Sequence, residues 1–62
     1  MATFNVNQIV RGVNAGVFVI LAHRMVGERF GYQVKEVNPA NLAETAPGES
    51  FYSPDMLKPY NA

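Results

Sequence analysis

Gly16-Val17-Phe18-Val19-Ile20-Leu21-Ala22-His23-Arg24 holds the longest unbroken apolar run of the chain, Val17 to Ala22. Periodicity does not separate a strand from a buried helix in so short a run. Three features favour a strand. Val17, Val19 and Ile20 are β-branched and Phe18 is aromatic, types that suit a pleated surface. Turn residues stand where a helix would need its N-cap. Gly27 and then Gly31 follow closely. The competing reading is a buried helix over residues 13–26. In a strand, Val17, Val19, Leu21 and His23 share one face, and Phe18, Ile20, Ala22 and Arg24 the other. Both faces begin apolar and end in His or Arg. The expectation is a central strand, buried along Val17–Ala22, whose C-terminal end emerges into solvent.

On its N-terminal side, Gly12-Val13-Asn14-Ala15-Gly16 reads as a turn, because two glycines and an Asn supply the positive φ of tight reversals. Before it, Ile9-Val10-Arg11 is extended. Thr3-Phe4-Asn5-Val6 alternates, with Phe4 and Val6 on one face, as a short strand or an extended lead-in. On the C-terminal side, Met25 to Gly31 reads as a longer, less regular reversal. Tyr32-Gln33-Val34-Lys35-Glu36-Val37 reads as a strand whose pattern switches at Val37, suggesting a bulge or the strand's end. Residues 38–49 read as a long loop in which Ala40–Glu44 makes one helical turn pinned by Leu42. Connections of that length are often functional.

Ser50-Phe51-Tyr52 is a short strand. Ser53-Pro54-Asp55-Met56-Leu57 then carries helix-start grammar, with Ser53 as cap, Pro54 in the first turn and Asp55 at the positive end of the dipole. Pro59 stops it within one turn, as a 3₁₀ helix. Met56 and Leu57 would plug one end of the core, Tyr60 would lie in a last strand, and Asn61-Ala62 would be a free end.

Sixty-two residues make one domain, spanning 1–62. A core this small rarely supplies more than ~3–5 kcal/mol without staples. The chain has no Cys and one His, which excludes disulfides, thiolate metal sites and a multi-histidine site within one chain. Association with a copy or a partner is the staple left. An apolar run of six residues is far below the ~20 that cross a bilayer as a helix. Met1-Ala2-Thr3-Phe4 lacks the basic start and apolar stretch of a signal peptide. The expectation is a soluble cytoplasmic protein with no membrane partner, no cofactor and no small-molecule substrate. Net charge is zero but divided. Residues 1–35 carry Arg11, Arg24, Arg29 and Lys35 against Glu28, and residues 36–62 carry Lys58 against Glu36, Glu44, Glu49 and Asp55. Such a division arises readily by chance among ten charges, and it also suits a dipolar interface.

The elements together describe an all-β chain, a small five-stranded barrel with a one-turn 3₁₀ helix before the last strand. It resembles the Src-homology-3-like barrels, and within them the KOW- and Tudor-type mini-barrels. Phe4-Asn5-Val6-Asn7-Gln8-Ile9-Val10-Arg11 reads like their opening strand. Gly16-Val17-Phe18-Val19-Ile20 reads like their second strand after a glycine loop. Ser50 to Tyr60 reads like their closing strand, 3₁₀ turn and final strand. Asn7-Gln8 departs from the usual Gly-Asp turn. The resemblance implies binding of a peptide, a protein surface or nucleic acid. Short single barrels without cysteine are also similar in style to bacteriophage-encoded accessory proteins, whose cytoplasm would be the host's.

Little in the chain points to catalysis. His23 is the only side chain with an ordinary pKa near neutrality, and it reads first as a strand-end residue packed on one side and wet at its tip. No phosphate-binding loop occurs. Seven aromatic rings exceed what so small a barrel buries, and tyrosines serve well in interfaces. The leading expectation is therefore a non-enzymatic protein-binding module, its partner a copy, a host protein or a viral one. Its surface would comprise Tyr32, Tyr52 and Tyr60, the cations Arg24 and Arg29, and the 38–49 loop with Asn41 and Glu44. The next is a small structural subunit of an assembly such as a virus particle. The third is a single-stranded nucleic-acid platform built from Arg11, Arg24, Arg29 and Lys35 with Phe30 and Tyr32.

Overall fold

The computed structural model describes residues 3–60. The expectations for Asn61-Ala62, and for Met1 and Ala2, lie outside them. The fold is all-β: β1 (Ile9–Gly12), β2 (Val17–Val26), β3 (Arg29–Asn38), β4 (Asn41–Thr45), β5 (Ser50–Tyr52), a 3₁₀ turn (Pro54–Met56) and β6 (Leu57–Pro59). There are six strands where five were expected. They form one antiparallel sheet in the order β4-β3-β2-β1-β6, with β5 also paired to β3. The path does not return on itself, so the sheet is open and not a closed barrel. Among the described residues, no helix is long and apolar enough to cross a membrane.

The Val17–Ala22 run is a central strand, flanked by β1 and β3, and the helical alternative fails. The reversal around Gly12 is present, with Gly16 at φ 92°. The reversal at 25–31 is much tighter than expected. Val26 pairs directly with Arg29, leaving Gly27-Glu28 as a two-residue hairpin turn. Gly27 has φ 63°, as the first central position of a type II′ turn requires. The strands therefore run on to this turn, through Met25 on one side and Phe30 on the other.

The register of β2 against β3 shifts between Ile20 and Ala22. Leu21 is a bulge residue, and a bulge re-aims every side chain beyond it. Ile20 pairs with Val34 and His23 with Tyr32. Thus His23 lies on the same face as Ile20, and Arg24 on the opposite face, the reverse of simple alternation. Burial also stops here: Leu21 is half-buried and Ala22 exposed, so the run is not buried to its end.

The core lies on one face of the sheet, built from Phe4, Val10, Phe18, Ile20, Tyr32, Val34 and Leu57, with Tyr52 packed against it. Val17 and Val37 are buried outside that cluster. Residues 3–8 are not a strand. Gln8 donates its N–H to the Asn5 carbonyl and Asn7 takes φ 73°, so the chain reverses. Phe4 turns inward while Val6 stays 49% exposed.

The 38–49 segment is not a loop with a helical turn. Asn38 Oδ1 accepts the Ala40 N–H at 2.9 Å, an Asx turn that folds 41–45 back as β4. Leu42 is half-buried within this strand. The switch at Val37 corresponds to a register shift between Val37 and Asn38. The 3₁₀ turn forms where expected, but Ser53 makes no side-chain cap; its hydroxyl donates to Asp55 Oδ1 at 2.6 Å. Leu57 is buried while Met56 is 37% exposed, and β6 ends one residue before Tyr60.

Candidate functional site

Beyond the His23–Tyr32 pair, β2 and β3 have no core beneath them. Every residue from Ala22 to Phe30 is exposed, so the hairpin end stands out as an arm. Its two faces follow from the pairing. Met25 opposes Phe30 and His23 opposes Tyr32 on the core-side face. Ala22, Arg24, Val26 and Arg29 lie on the other. Met25 is 58%, Val26 49% and Phe30 38% exposed.

The base of the arm is held by Tyr32. This tyrosine was expected at a surface, but it is 0% exposed. Phe4, His23 and Phe30 stand edge-on to it, with ring centroids 5.4, 5.4 and 5.2 Å away. Its hydroxyl accepts the Phe4 N–H at 3.1 Å, which satisfies the polar tip inside the core. His23 Nε2 lies 2.6 Å from the Phe4 carbonyl. A carbonyl only accepts, so Nε2 carries the proton. His23 is thus exposed, ring-packed and committed at its tip to the backbone of the N-terminal lead-in.

On the opposite face, Arg24 donates from Nη1 to Gln33 Oε1 at 2.7 Å, and Gln33 Nε2 donates to Glu49 Oε1 at 2.9 Å. This row fixes the orientation of Arg24 across three segments. Gly31 lies beneath it. A Cβ there would meet the Phe51 ring and stand 2.7 Å from the Tyr52 carbonyl oxygen, so glycine lets β5 close over the strand.

The expected site residues fall into separate groups. Arg24 and Arg29 are exposed together on the arm. Asn41 and Glu44 are exposed in β4, which pairs with the other end of β3, about 30 Å away by strand rise from Arg29 to Asn38. There Glu44 Oε1 accepts from Asn38 Nδ2 at 3.0 Å, and Asn41 Oδ1 accepts the Ala43 N–H. Tyr52 and Tyr60 are half-buried. Tyr52 packs edge-on to Phe18 at 5.1 Å and borders an open pocket of ≈ 370 Å³ with Gly16, Glu36, Glu49 and Ser50. Tyr32 belongs to the core.

Met25 and Val26 were not anticipated as surface features. The signal was present: Gly27-Glu28 between Val26 and Arg29 is a two-residue Gly-X turn, which keeps both strands extended to the tip. The pKa of Asp55 is displaced downward. The Ser53 hydroxyl, and then its own backbone N–H, hold its carboxyl below the ordinary aspartate value, with Arg29 adding a smaller attraction. Among the described residues, no group of three His, Cys, Asp or Glu could hold a metal ion. Comparison with family models, curated proteins and solved structures finds no match for the chain.

Proposed function

We propose that the protein is a non-enzymatic binding module that captures another protein along the β2–β3 arm. The observation that carries this reading is the exposure of the whole hairpin end, Ala22 to Phe30, including the large apolar side chains of Met25, Val26 and Phe30. Isolated exposed apolar residues are ordinary, but Met25 and Phe30 are direct cross-strand partners on one face of a projecting ribbon and form a contact surface. The ribbon also has open edges. β1 pairs β2 only along Val17–Val19, and β5 pairs β3 only along Tyr32–Val34. Among the described residues, 22–26 and 29–30 thus offer unpaired backbone groups, which an extended segment of a partner can join as a further strand. The Src-homology-3-like resemblance, resting on the glycine turn, the 3₁₀ turn and the last strand, supports binding in preference to catalysis. So does His23, whose Nε2 proton is already donated to a backbone carbonyl.

A photo-crosslinking side chain placed at Phe30, which pairs with Met25 on the core-side face of the arm, should trap a discrete partner in extract of the source cells. The same group at Val13, exposed but off the arm, should not. Met25→Glu should abolish the crosslink and leave the circular dichroism unchanged. Equal labelling from Val13 and Phe30, or labelling indifferent to Met25→Glu, removes the arm from the interface. Sedimentation then shows whether the trapped partner is a second copy, as a structural subunit would require.

A further inference from the structure

The strands sort the charge by face. In β1, Arg11 alternates with buried Val10 and Gly12; in β6, Lys58 follows buried Leu57; in β3, Lys35 follows buried Val34. Each therefore points away from the core. Arg29 shares the alternation of Gly31, Gln33 and Lys35. Arg24 pairs with Gly31 and joins the same side, which it reaches only because the Leu21 bulge resets the alternation of β2. All five Lys and Arg residues of the chain thus lie on the outer face of one sheet. Along β3 alone, Arg29 to Lys35 spans ~20 Å. A net charge of zero conceals this, because most of the acids are placed elsewhere; only Asp55, near enough to Arg29 to feel its charge, and Glu49 approach the face. Glu36 follows the alternation of Val34, Glu28 sits in the tip turn, and Glu44 and Asp55 bond to Asn38 and Ser53. Glu49 reaches the face through Gln33.

Two features of this face point to an anionic, base-bearing ligand. Arg11 and Lys58 are direct cross-strand partners. Like charges in that position destabilise a sheet, and an anion lying across both converts the repulsion into attraction. The second is Phe51. It pairs with Gln33 on the outer side, half-buried, its ring lying over Gly31. An aromatic surface set among cations is the arrangement that stacks a base while its phosphates are neutralised.

We infer that the outer face binds single-stranded nucleic acid, with Arg11, Lys58, Lys35 and Arg29 on phosphates and Phe51 beneath a base. This site is distinct from the apolar core-side face of the arm. Fluorescence anisotropy with an oligothymidylate of roughly 15 nucleotides tests it. Binding should appear at about 20 mM salt and weaken with a log–log slope of about −3, as four phosphate contacts require. Lys58→Glu should weaken binding at least ~10-fold and flatten the slope. The same change replaces a like-charge pair with an opposite one and should raise Tm by about 4 °C, so lost binding is not lost folding. Phe51→Leu should weaken binding about 10-fold with the salt slope unchanged. No binding at low salt overturns the inference, as does undiminished binding by Lys58→Glu. Equal affinity for dextran sulfate, with no effect of Phe51→Leu, would show bare polyanion attraction and overturn the single-strand assignment.

Discussion

The two halves of the β2–β3 hairpin are made of similar residues and meet opposite fates. The lower half, Val17–Ile20 against Tyr32–Val37, contributes six members of the buried apolar set, Val17, Phe18, Ile20, Tyr32, Val34 and Val37. The upper half, Ala22–Val26 against Arg29–Phe30, includes Met25, Val26 and Phe30, yet all of it is exposed. Backbone pairing runs through both, interrupted only at the Leu21 bulge. What differs is the number of neighbours. The lower half lies between β1 and β5 and over Phe4 and Leu57, whereas the upper half has only its own partner strand. An isolated two-stranded ribbon is marginal in water, so the arm depends on the anchoring at its base, where Tyr32, His23 and Phe4 are joined.

The contrast can be broken most severely from the lower half. Ile20→Asp places an unpaired charge in the core, a cost of several kcal/mol that exceeds what a domain of this size has in reserve. The expected outcome is loss of the native circular dichroism. Met25→Asp, in the exposed half and paired with Phe30, should shift stability by less than ~0.5 kcal/mol. If both variants unfold, the arm is part of the core after all.

Gly31→Ala should cost about 1–3 kcal/mol in urea denaturation, because the added methyl meets the Phe51 ring and the Tyr52 carbonyl. His23→Ala removes the bond to the Phe4 carbonyl and should cost about 1 kcal/mol. Amide exchange should report it first at Asn5–Gln8 and on the arm; a loss confined to β6 would place the anchor elsewhere.

The smallest effect concerns Asp55, beside the arm's Arg29. Its folded-state pKa lies below the ordinary value, so its contribution to stability is present above that value. The contribution is lost as pH falls through the lowered one. Ser53→Ala should move the carboxyl titration, followed by NMR, upward toward the ordinary aspartate value. An unmoved titration would show that the Ser53 hydroxyl is not the cause.

Several features were legible from residues alone because their causes are local. β-branched and aromatic side chains favour extended backbone, so the 17–24 run is a strand. Glycines that can take positive φ mark the Gly12–Gly16 reversal. The Ser-Pro-Asp grammar marks the 3₁₀ turn at Pro54–Met56. The strand at 41–45 was hidden because Ala40–Glu44 has no β signature; pairing to β3 and the Asn38 Asx turn impose it. Of the candidate site, Arg24 and Arg29 were visible as cations flanking a glycine turn, but their company was not.

Which side of the sheet each residue faces was decided only by the tertiary structure. Strand alternation predicts His23 with Val19 and Arg24 with Ile20, and the bulge at Leu21 inverts both. A bulge is a mismatch in register between two strands, so it is a property of the pair and not of either sequence. That inversion places His23 beside Tyr32 in the anchor and brings Arg24 to the outer face with the other cations. Likewise Tyr32 is buried because Phe4, far away in the chain, folds back to bond its hydroxyl. Local sterics make the strands of this protein; long-range register determines what each strand buries and what it presents.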